Sequence, residues 1–277
     1  MDFKIGFLGY GKMARAVSEG LAESRHIHYG QQIVSGRNRL ALSEAAAARG
    51  VAVADDNREL ARRSDVVVLG VKPHQVNEVL AEVQNEIAGK LVISMAAGLT
   101  LNTLGQMLPK NAALVRTMPN IPALVGRGTT LLCATPDTPL SSLKTAQDIF
   151  ESVGICLELE EKFFDAATAV SGGGPAYFFS IMEAMTRGAI RLGLPWETAK
   201  TLVVQTAAGS AAVAEKLADR HFAELRDMVS SPGGSTIEGQ YILEEGGFTA
   251  LLMKALAAAE KKSHLLGASP TGNSDID

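Results

Sequence analysis

The chain has 277 residues, of which 47% are hydrophobic and 20% charged, with a formal net charge of −4 at pH 7. This composition is typical of a globular protein with one large or two ordinary domains, and the slightly acidic balance argues against nucleic-acid or anionic-membrane partners. We find no signal-peptide pattern and no run of about 18 apolar residues that could span a membrane. The two cysteines, Cys133 and Cys156, lack metal-ligand spacing and a disulfide pattern, so we expect structural thiols, no metal site and a cytoplasmic location.

The first predicted element is an apolar strand over residues 4–8, which runs directly into a glycine-rich turn and an amphipathic helix. The turn has the spacing G-x-G-x-x-A, and this spacing between a strand and a helix is the fingerprint of a dinucleotide site. Gly9 would make the tight turn, Gly11 would let the backbone approach a pyrophosphate, and Ala14 would let the helix pack closely on the strand. The first strand and helix therefore predict nucleotide binding.

The second predicted strand, residues 32–35, ends at a position that normally distinguishes the two nicotinamide cofactors. NAD-specific sites usually carry Asp or Glu there, which binds the ribose hydroxyls. This chain instead has Ser35 followed by Arg37 and Arg39. Because guanidinium groups match phosphate oxygens, we expect NADPH as the main cofactor, with NADH as a possible second donor. The alternative is that both arginines are solvated residues that open the next helix.

Strands and helices continue to alternate up to about residue 160. Helices are predicted over 40–49, 57–63, 101–108 and 139–153, and strands over 51–54, 65–71, 91–95, 112–117, 128–134 and 156–159. The strand over 65–71 ends at Lys72 and Pro73, where Pro would begin a helix. Strand ends at this edge of an open sheet line a ligand crevice, so we expect Lys72 near the nicotinamide, although it could be an ordinary exposed lysine. The pattern predicts a Rossmann-type doubly wound α/β domain over residues 1–160.

After residue 160 the pattern becomes helical throughout. Helices are predicted over 165–192, with an interruption at 171–175, and over 197–217, 221–228, 236–244 and 248–266. We therefore expect an all-α second domain over 161–267 and a disordered tail over 268–277. The helices carry more small apolar faces than one such domain needs, which predicts homo-oligomerisation through them.

A loop in this helical domain, Val-Ser-Ser-Pro-Gly-Gly-Ser-Thr-Ile-Glu over residues 229–238, combines hydroxyl side chains with a Gly-Gly turn before a helix. The backbone N–H groups at a helix N-terminus have no intrahelical partner and attract carboxylates or phosphates. The loop is therefore our candidate substrate site. On its own the loop is better interpreted as a plain turn with a Ser or Thr cap, and the rest of the chain must favour the site.

Five segments together resemble the pyrroline-5-carboxylate reductase family across almost the whole chain. They are residues 6–14 (Gly-Phe-Leu-Gly-Tyr-Gly-Lys-Met-Ala), 71–73 (Val-Lys-Pro), 118–123 (Met-Pro-Asn-Ile-Pro-Ala), 171–177 (Ser-Gly-Gly-Gly-Pro-Ala-Tyr) and 227–237 (Asp-Met-Val-Ser-Ser-Pro-Gly-Gly-Ser-Thr-Ile). The resemblance implies a Rossmann domain followed by a helical dimerisation domain, dimers with interleaved helices or larger assemblies of them, and NADPH-dependent reduction of Δ1-pyrroline-5-carboxylate to L-proline. Two positions depart from the family pattern, Gly173 and Ser235, and both stay small.

The motifs and the resemblance together imply a set of site residues. The cofactor set is Leu8, Gly9, Tyr10, Gly11, Lys12, Met13, Ser35, Arg37, Asn57, Gly70, Val71, Lys72, Pro73, Ala96 and Ala97. The substrate set is Ser231, Gly233, Gly234, Ser235 and Thr236. Thr236 and Lys72 are the candidate catalytic residues. The Thr236 hydroxyl is expected near the ring nitrogen, where it either positions the imine or also relays a proton.

Two other functions fit parts of the sequence. Dehydrogenases of the β-hydroxyacid type usually carry a catalytic Lys near an Asn on a helix of the second domain, whereas here Tyr177, Ser180 and Glu183 follow the Gly-Gly-Pro segment. A non-catalytic NADP(H)-binding protein would not need the substrate loop. The five histidines are scattered, which argues against a catalytic His.

Overall fold

The computed structural model describes residue 1 and residues 3–268. Its first part alternates strands and helices, with additional short 3₁₀ turns. The elements are β1 Ile5–Leu8, α1 Lys12–Glu23, β2 Gln32–Ser35, α2 Arg39–Ala47, β3 Ala52–Val53, α3 Asn57–Arg63, β4 Val66–Leu69, α4 Val76–Val83, β5 Leu91–Ser94, α5 Leu101–Met107, β6 Ala113–Met118, β7 Gly128–Ala134, α6 Leu140–Glu151 and β8 Gly154–Glu158. Helices follow, namely α7 Phe164–Ser171, α8 Gly174–Arg191, α9 Trp196–Lys216, α10 Phe222–Asp227, α11 Ser235–Glu245 and α12 Phe248–Ala268. The predicted Rossmann-type sheet and the helical region after it are confirmed.

The strands form one sheet in the order β3-β2-β1-β4-β5-β6-β7-β8. Neighbouring strands from β3 to β6 are parallel. A parallel strand covered on both faces needs apolar side chains on both, and β4, with the sequence Val-Val-Val-Leu, is buried at every position. The order reverses at β1, because β2 lies on one side of it and β4 on the other. Ligands of open α/β sheets bind at the carboxyl ends of strands at this kind of reversal.

The last two strands, β7 and β8, are antiparallel to the other six, which the sequence pattern did not predict. β7 pairs with β6 in antiparallel orientation, and β8 pairs in parallel with β7. A parallel pair needs a crossover of about a dozen residues or more. The connection from Met118 to Gly128 is shorter than that and contains only a 3₁₀ turn, Ile121–Val125, ending at Gly126 with φ 68°. The chain therefore turns back beside β6.

Helices cover both faces of the sheet and define two hydrophobic layers. On one face α1, α2 and α6 contribute the buried side chains of Val17, Leu21, Leu42, Ile149 and Phe150. On the other face α3, α4, α5 and α7 contribute those of Leu60, Leu80, Val83, Leu104 and Phe164. These are the apolar positions at helical spacing in the sequence, and their burial supplies most of the favourable free energy of this layer arrangement.

The 118–123 segment fixes the turn between β6 and β7. The side chain of Asn120 is buried, accepts a hydrogen bond from Thr129 N (2.8 Å) and donates one to the carbonyl oxygen of Ser171 (2.9 Å). Both halves of the amide are therefore used, as a buried amide requires. The segment thus joins β7 to the end of α7.

The chain divides into two compact units. The first contains Met1–Gly172 and the described residues from Ala259 onward, and the second contains Gly173–Ala258. The end of α12 belongs to the first unit, where Ser263 Oγ donates to Asp165 Oδ1 (2.6 Å) and Gly267 lies against Gly98. The functional division at residue 160 stays a prediction. Most of the tail predicted as disordered, residues 269–277, lies outside the described residues.

The second unit consists of α8, α9, α10, α11 and the first part of α12, and it buries few side chains. Its buried residues include Thr186, Ala199 and Val203. Many large apolar side chains of these helices are exposed, among them Phe178, Phe179, Trp196, Leu202, Phe222, Tyr241, Ile242, Leu251 and Met253. So many exposed large apolar side chains on the helices of one unit are typical of an interaction surface. None of the helices described in the structure combines the length and apolarity needed to cross a bilayer.

Candidate functional site

The glycine-rich turn lies at the order reversal of the sheet. Gly9 follows β1 with φ 89° and donates its N–H to the carbonyl oxygen of Ser35 (3.1 Å). A Cβ on Gly9 would lie 2.7 Å from Val71 Cγ1 and 2.9 Å from the backbone of Gly70. Both the positive φ and this space exclude any side chain. Gly70 is equally confined, because its Cβ would lie 2.5 Å from Gly9 O.

Gly11 has open space where Gly9 has none. It is the N-cap of α1 with φ −76° and ψ −174°, a conformation open to any residue, and no atom outside its chain neighbours lies within 4 Å of the position of a Cβ. No side chain caps the first N–H groups of the helix. A helix N-terminus with this access fits a pyrophosphate, and exposed Lys12 adds a positive charge in the first turn.

Not every side chain of the fingerprint faces this space. The hydroxyl of Tyr10 lies 2.9 Å from Ser18 Oγ, and its ring packs against the core near Phe7, 6.2 Å between ring centroids. Burial raises the pKa of Tyr10, so its phenol stays neutral. Leu8 is fully buried. At Leu8 only the backbone can contact a ligand, whereas Tyr10 is partly exposed with its hydroxyl engaged by Ser18.

The end of β2 carries a chain of hydrogen bonds. Ser35 Oγ donates to Asn57 Oδ1 (2.7 Å), and Asn57 Nδ2 donates to Glu82 Oε2 (2.7 Å). Ser35 and Asn57 both belong to the predicted cofactor set, and the structure brings them together. Glu82 on α4 was missed, because a single acidic residue on an amphipathic helix carries no motif.

The two arginines after β2 have different surroundings. Arg39 donates through Nη2 to Asp55 Oδ1 (3.2 Å) and through Nη1 to the carbonyl oxygens of Ala54 and Asp55. Arg37 is exposed, and no residue in the described part of the chain pairs with it. The guanidinium of Arg37 is therefore the one available to a ligand anion.

The end of β4 leads into a 3₁₀ turn, Pro73–Gln75, and α4 begins only at Val76. The predicted helix start at Pro73 is therefore a tighter turn, because the Gln75 side chain accepts the N–H of Lys72 (3.2 Å) and the Gln75 N–H bonds back to the carbonyl oxygen of Lys72 (2.9 Å). Lys72 is exposed. No contact in the structure assigns its ammonium group a catalytic role.

A cavity of about 260 Å³ lies at the ends of β5 and β6 and includes the predicted residues Ala96 and Ala97 in its lining. Buried Arg116 also lines it and forms an ion pair with Glu161 Oε1 (2.6 Å). The same carboxylate oxygen accepts the N–H of Leu101 at the start of α5 (2.6 Å). Glu161 therefore fixes both Arg116 and the end of the loop that follows Ala96 and Ala97. These contacts join residues distant in sequence, and no local pattern predicts them.

The predicted substrate loop belongs to the second unit and feeds α11. Gly233 has φ 66°, Gly234 is the N-cap, and the Gly234 N–H donates to the carbonyl oxygen of Ser231 (3.0 Å). A side chain on Gly234 would collide with Ser231 Oγ. The hydroxyls of Ser231, Ser235 and Thr236 make no hydrogen bond to another described residue, and all three residues are exposed. The loop offers N–H and O–H donors together, as a carboxylate requires.

The two cysteines belong to neither the predicted cofactor set nor the predicted substrate set. Cys133 on β7 is buried and Cys156 on β8 is partly buried, and burial raises the pKa of each to about 12. Neither thiol is a nucleophile at neutral pH. Among residues 3–268 no group of three or more His, Cys, Asp or Glu side chains could hold a metal ion.

Comparison with known proteins gives consistent matches along the chain. Residues 161–266 match the family described as pyrroline-5-carboxylate reductase dimerisation, and residues 4–98 match NADP oxidoreductase coenzyme F420-dependent. The chain is 38% identical to pyrroline-5-carboxylate reductase of Methanosarcina acetivorans over 265 residues, covering 95% of this chain and 98% of that protein.

Two solved structures are similar over nearly their full length. Pyrroline-5-carboxylate reductase from Coxiella burnetii superposes with a TM-score of 0.90 at 36% identity, covering 97% of this chain and 100% of that one. Pyrroline carboxylate reductase from Plasmodium falciparum, determined with NADP bound, gives a TM-score of 0.87 at 35% identity, covering 96% and 99%.

Proposed function

The chain belongs to the pyrroline-5-carboxylate reductase family, and on that basis we propose how its own residues carry the reaction. It reduces Δ1-pyrroline-5-carboxylate to L-proline with NAD(P)H, the last step of proline biosynthesis. The observation that carries this conclusion is the match along 95% of the chain and 98% of a relative. Residues 1–160 would bind the cofactor, and residues 161–267 would bind the substrate and form the dimer.

The residues present fit a dinucleotide. The Gly9 turn, the uncapped N-terminus of α1 and the open space at Gly11 suit a pyrophosphate, and Ser35, Asn57 and Arg37 suit the adenosine end. Gly70 to Pro73 and the Ala96–Ala97 loop would lie along the remainder of the molecule. A bound nicotinamide supplies the hydride for the imine carbon.

The chain must then bind the substrate and allow one proton to reach the ring nitrogen. Ser231, Gly233 and Ser235 would hold the carboxylate through N–H and O–H groups at the start of α11, while the N–H of Gly234 bonds to the carbonyl oxygen of Ser231 and shapes the turn. Fixing the ring in this way can contribute on the order of 7 kcal/mol to lowering the barrier. A cyclic imine is basic enough to be partly protonated near neutral pH, so no strong acid is needed. Thr236 would donate a hydrogen bond to the lone pair of the unprotonated nitrogen or relay a proton to it.

A steady-state assay of NADPH oxidation tests the function. Consumption of NADPH that depends on Δ1-pyrroline-5-carboxylate, with proline as the product, is the expected result. A chain that oxidises 3-hydroxy acids with NADP⁺ and leaves pyrroline-5-carboxylate unreduced would instead be a β-hydroxyacid-type dehydrogenase. Cofactor binding without any turnover would identify a non-catalytic binding protein.

Arg37 is proposed to select NADPH by binding the 2′-phosphate. Arg37→Ala should raise KM for NADPH about tenfold and leave KM for NADH within about twofold, since NADH lacks the phosphate. Arg39→Ala is the matched control, because Arg39 is held by Asp55 and should affect both cofactors little. Equal losses for both cofactors in Arg37→Ala would remove Arg37 from phosphate recognition.

The exposed apolar helices of the second unit and the dimerisation match support a homodimer or a larger homo-oligomer built from dimers. We expect light scattering to give a mass at least twice the 29.1 kDa of one chain. A stable monomer across the working concentration range would contradict the oligomer.

A cytoplasmic location is proposed from the free thiols. Cell fractionation that placed the protein outside the cytoplasm would overturn it.

A further inference from the structure

Asn57 lies between two hydrogen-bonding side chains, and one of them fixes its orientation. An ionised carboxylate can only accept hydrogen bonds, so the atom of Asn57 that lies 2.7 Å from Glu82 Oε2 must be the amide nitrogen. The amide oxygen is then turned towards Ser35, 2.7 Å from Oγ. Glu82 thus decides which end of the Asn57 amide Ser35 meets.

Ser35 is only 3% exposed, so a ligand could meet its hydroxyl only at the end of β2, and the orientation of Asn57 limits what that hydroxyl can do there. A hydroxyl has one proton, and Ser35 donates it to Asn57 Oδ1, which leaves its lone pairs to accept. A ribose 2′-hydroxyl can donate to them, whereas a 2′-phosphate offers only acceptor oxygens. For Ser35 to bind a phosphate, its proton must turn away from Asn57, and Asn57 Oδ1 then loses its partner.

The negative charge of Glu82 also disfavours a 2′-phosphate beside Ser35. Glu82 is partly buried, and no cation pairs with its carboxylate within residues 3–268. The Arg58 guanidinium binds the backbone carbonyl of Glu82 (2.9 Å) rather than the carboxylate. A negative charge two hydrogen bonds from Ser35 would repel a phosphate dianion there.

From these contacts, and on the basis of the proposed reductase function, we propose that Glu82 is a specificity-determining residue that restrains the preference for NADPH. It acts through Asn57 and Ser35, and it opposes Arg37, which favours the phosphate. The cofactor preference of the chain is the balance between this hydrogen-bond chain and the Arg37 guanidinium.

The test is the binding of two adenosine fragments that differ only in the 2′ group, 2′,5′-ADP and 5′-ADP, measured by calorimetry. Glu82→Gln removes the charge and lets Asn57 adopt either orientation. It should lower Kd for 2′,5′-ADP by about three- to tenfold and leave Kd for 5′-ADP within about twofold. The ratio of kcat/KM for NADPH to that for NADH should rise by a similar factor. Glu78→Gln, an exposed residue of the same helix, is the control and should change neither fragment.

Two results would overturn the proposal: an unchanged fragment ratio in Glu82→Gln, or equal changes for both fragments, which a merely structural role would give. A second variant tests the route through Ser35. The part of the gain for 2′,5′-ADP that depends on the Ser35 hydroxyl should disappear when Glu82→Gln is combined with Ser35→Ala, leaving only the part due to the lost charge, and a gain retained in full there would contradict the hydrogen-bond route. Fragment binding does not depend on turnover, so a failure here is distinguishable from a failure of the reductase assay.

Discussion

Thr236→Ala is expected to lower kcat by severalfold to about a hundredfold while the Kd of NADPH stays within about twofold. The exposed hydroxyl makes no hydrogen bond to another described residue, so its removal breaks no hydrogen bond within the described part of the chain. What is lost is a donor to the ring nitrogen as it gains electron density and a proton. The Tm should stay close to that of the unchanged chain.

Thr236→Ser is the matched control, because it keeps the hydroxyl and removes only a methyl group. It should recover most of kcat. A kcat for Thr236→Ala equal to that of the unchanged chain would exclude Thr236 from the mechanism. The size of the loss also separates the two roles left open by the sequence, since positioning alone accounts for a few-fold and proton relay for about a hundredfold or more.

Gly11→Ala should raise the Kd of NADPH by roughly tenfold or more without lowering Tm, because the methyl group would occupy the space through which a pyrophosphate reaches the N-terminus of α1. The backbone of Gly11 suits any residue, and nothing within 4 Å would touch a Cβ. Binding is measured by quenching of protein fluorescence or by calorimetry, and Tm by scanning fluorimetry.

Two further glycines make this prediction specific. Gly9→Ala should lower both cofactor affinity and Tm, because the added methyl group meets Val71 and Gly70 and φ is 89°. Gly30→Ala, where a Cβ also meets nothing within 4 Å, should change neither. If Gly11→Ala bound NADPH as tightly as the unchanged chain, the cofactor would not approach through this turn.

The sequence was sufficient for the features that depend on local pattern. The fingerprint at Gly9 to Ala14 and the buried run of β4 both follow from motif spacing and periodicity. The loop before α11 was also placed correctly at a helix start.

Features that depend on distant contacts could not be predicted in this way. The reversed direction of β7 follows from the length of one connection. The different surroundings of Arg37 and Arg39 depend on Asp55, which is brought close only when α2 and β3 fold against β2. Glu82 and Glu161 act on residues 25 and 45 or more positions away, and no local pattern distinguishes them from surface carboxylates.

The protonated thiols at the end of the sheet make oxidation depend on conformational opening. Cys133 on β7 is buried and Cys156 on the adjacent edge strand β8 is partly buried, and burial keeps both thiols protonated as long as the strands stay paired. Fraying of β8 would expose Cys156 first, and its thiolate could then be oxidised to a sulfinic acid that is too polar to return to the interior. In an oxidising medium a brief, otherwise reversible opening of this edge would become permanent damage, so the working lifetime of the enzyme depends on the surrounding redox potential although no thiol takes part in its chemistry.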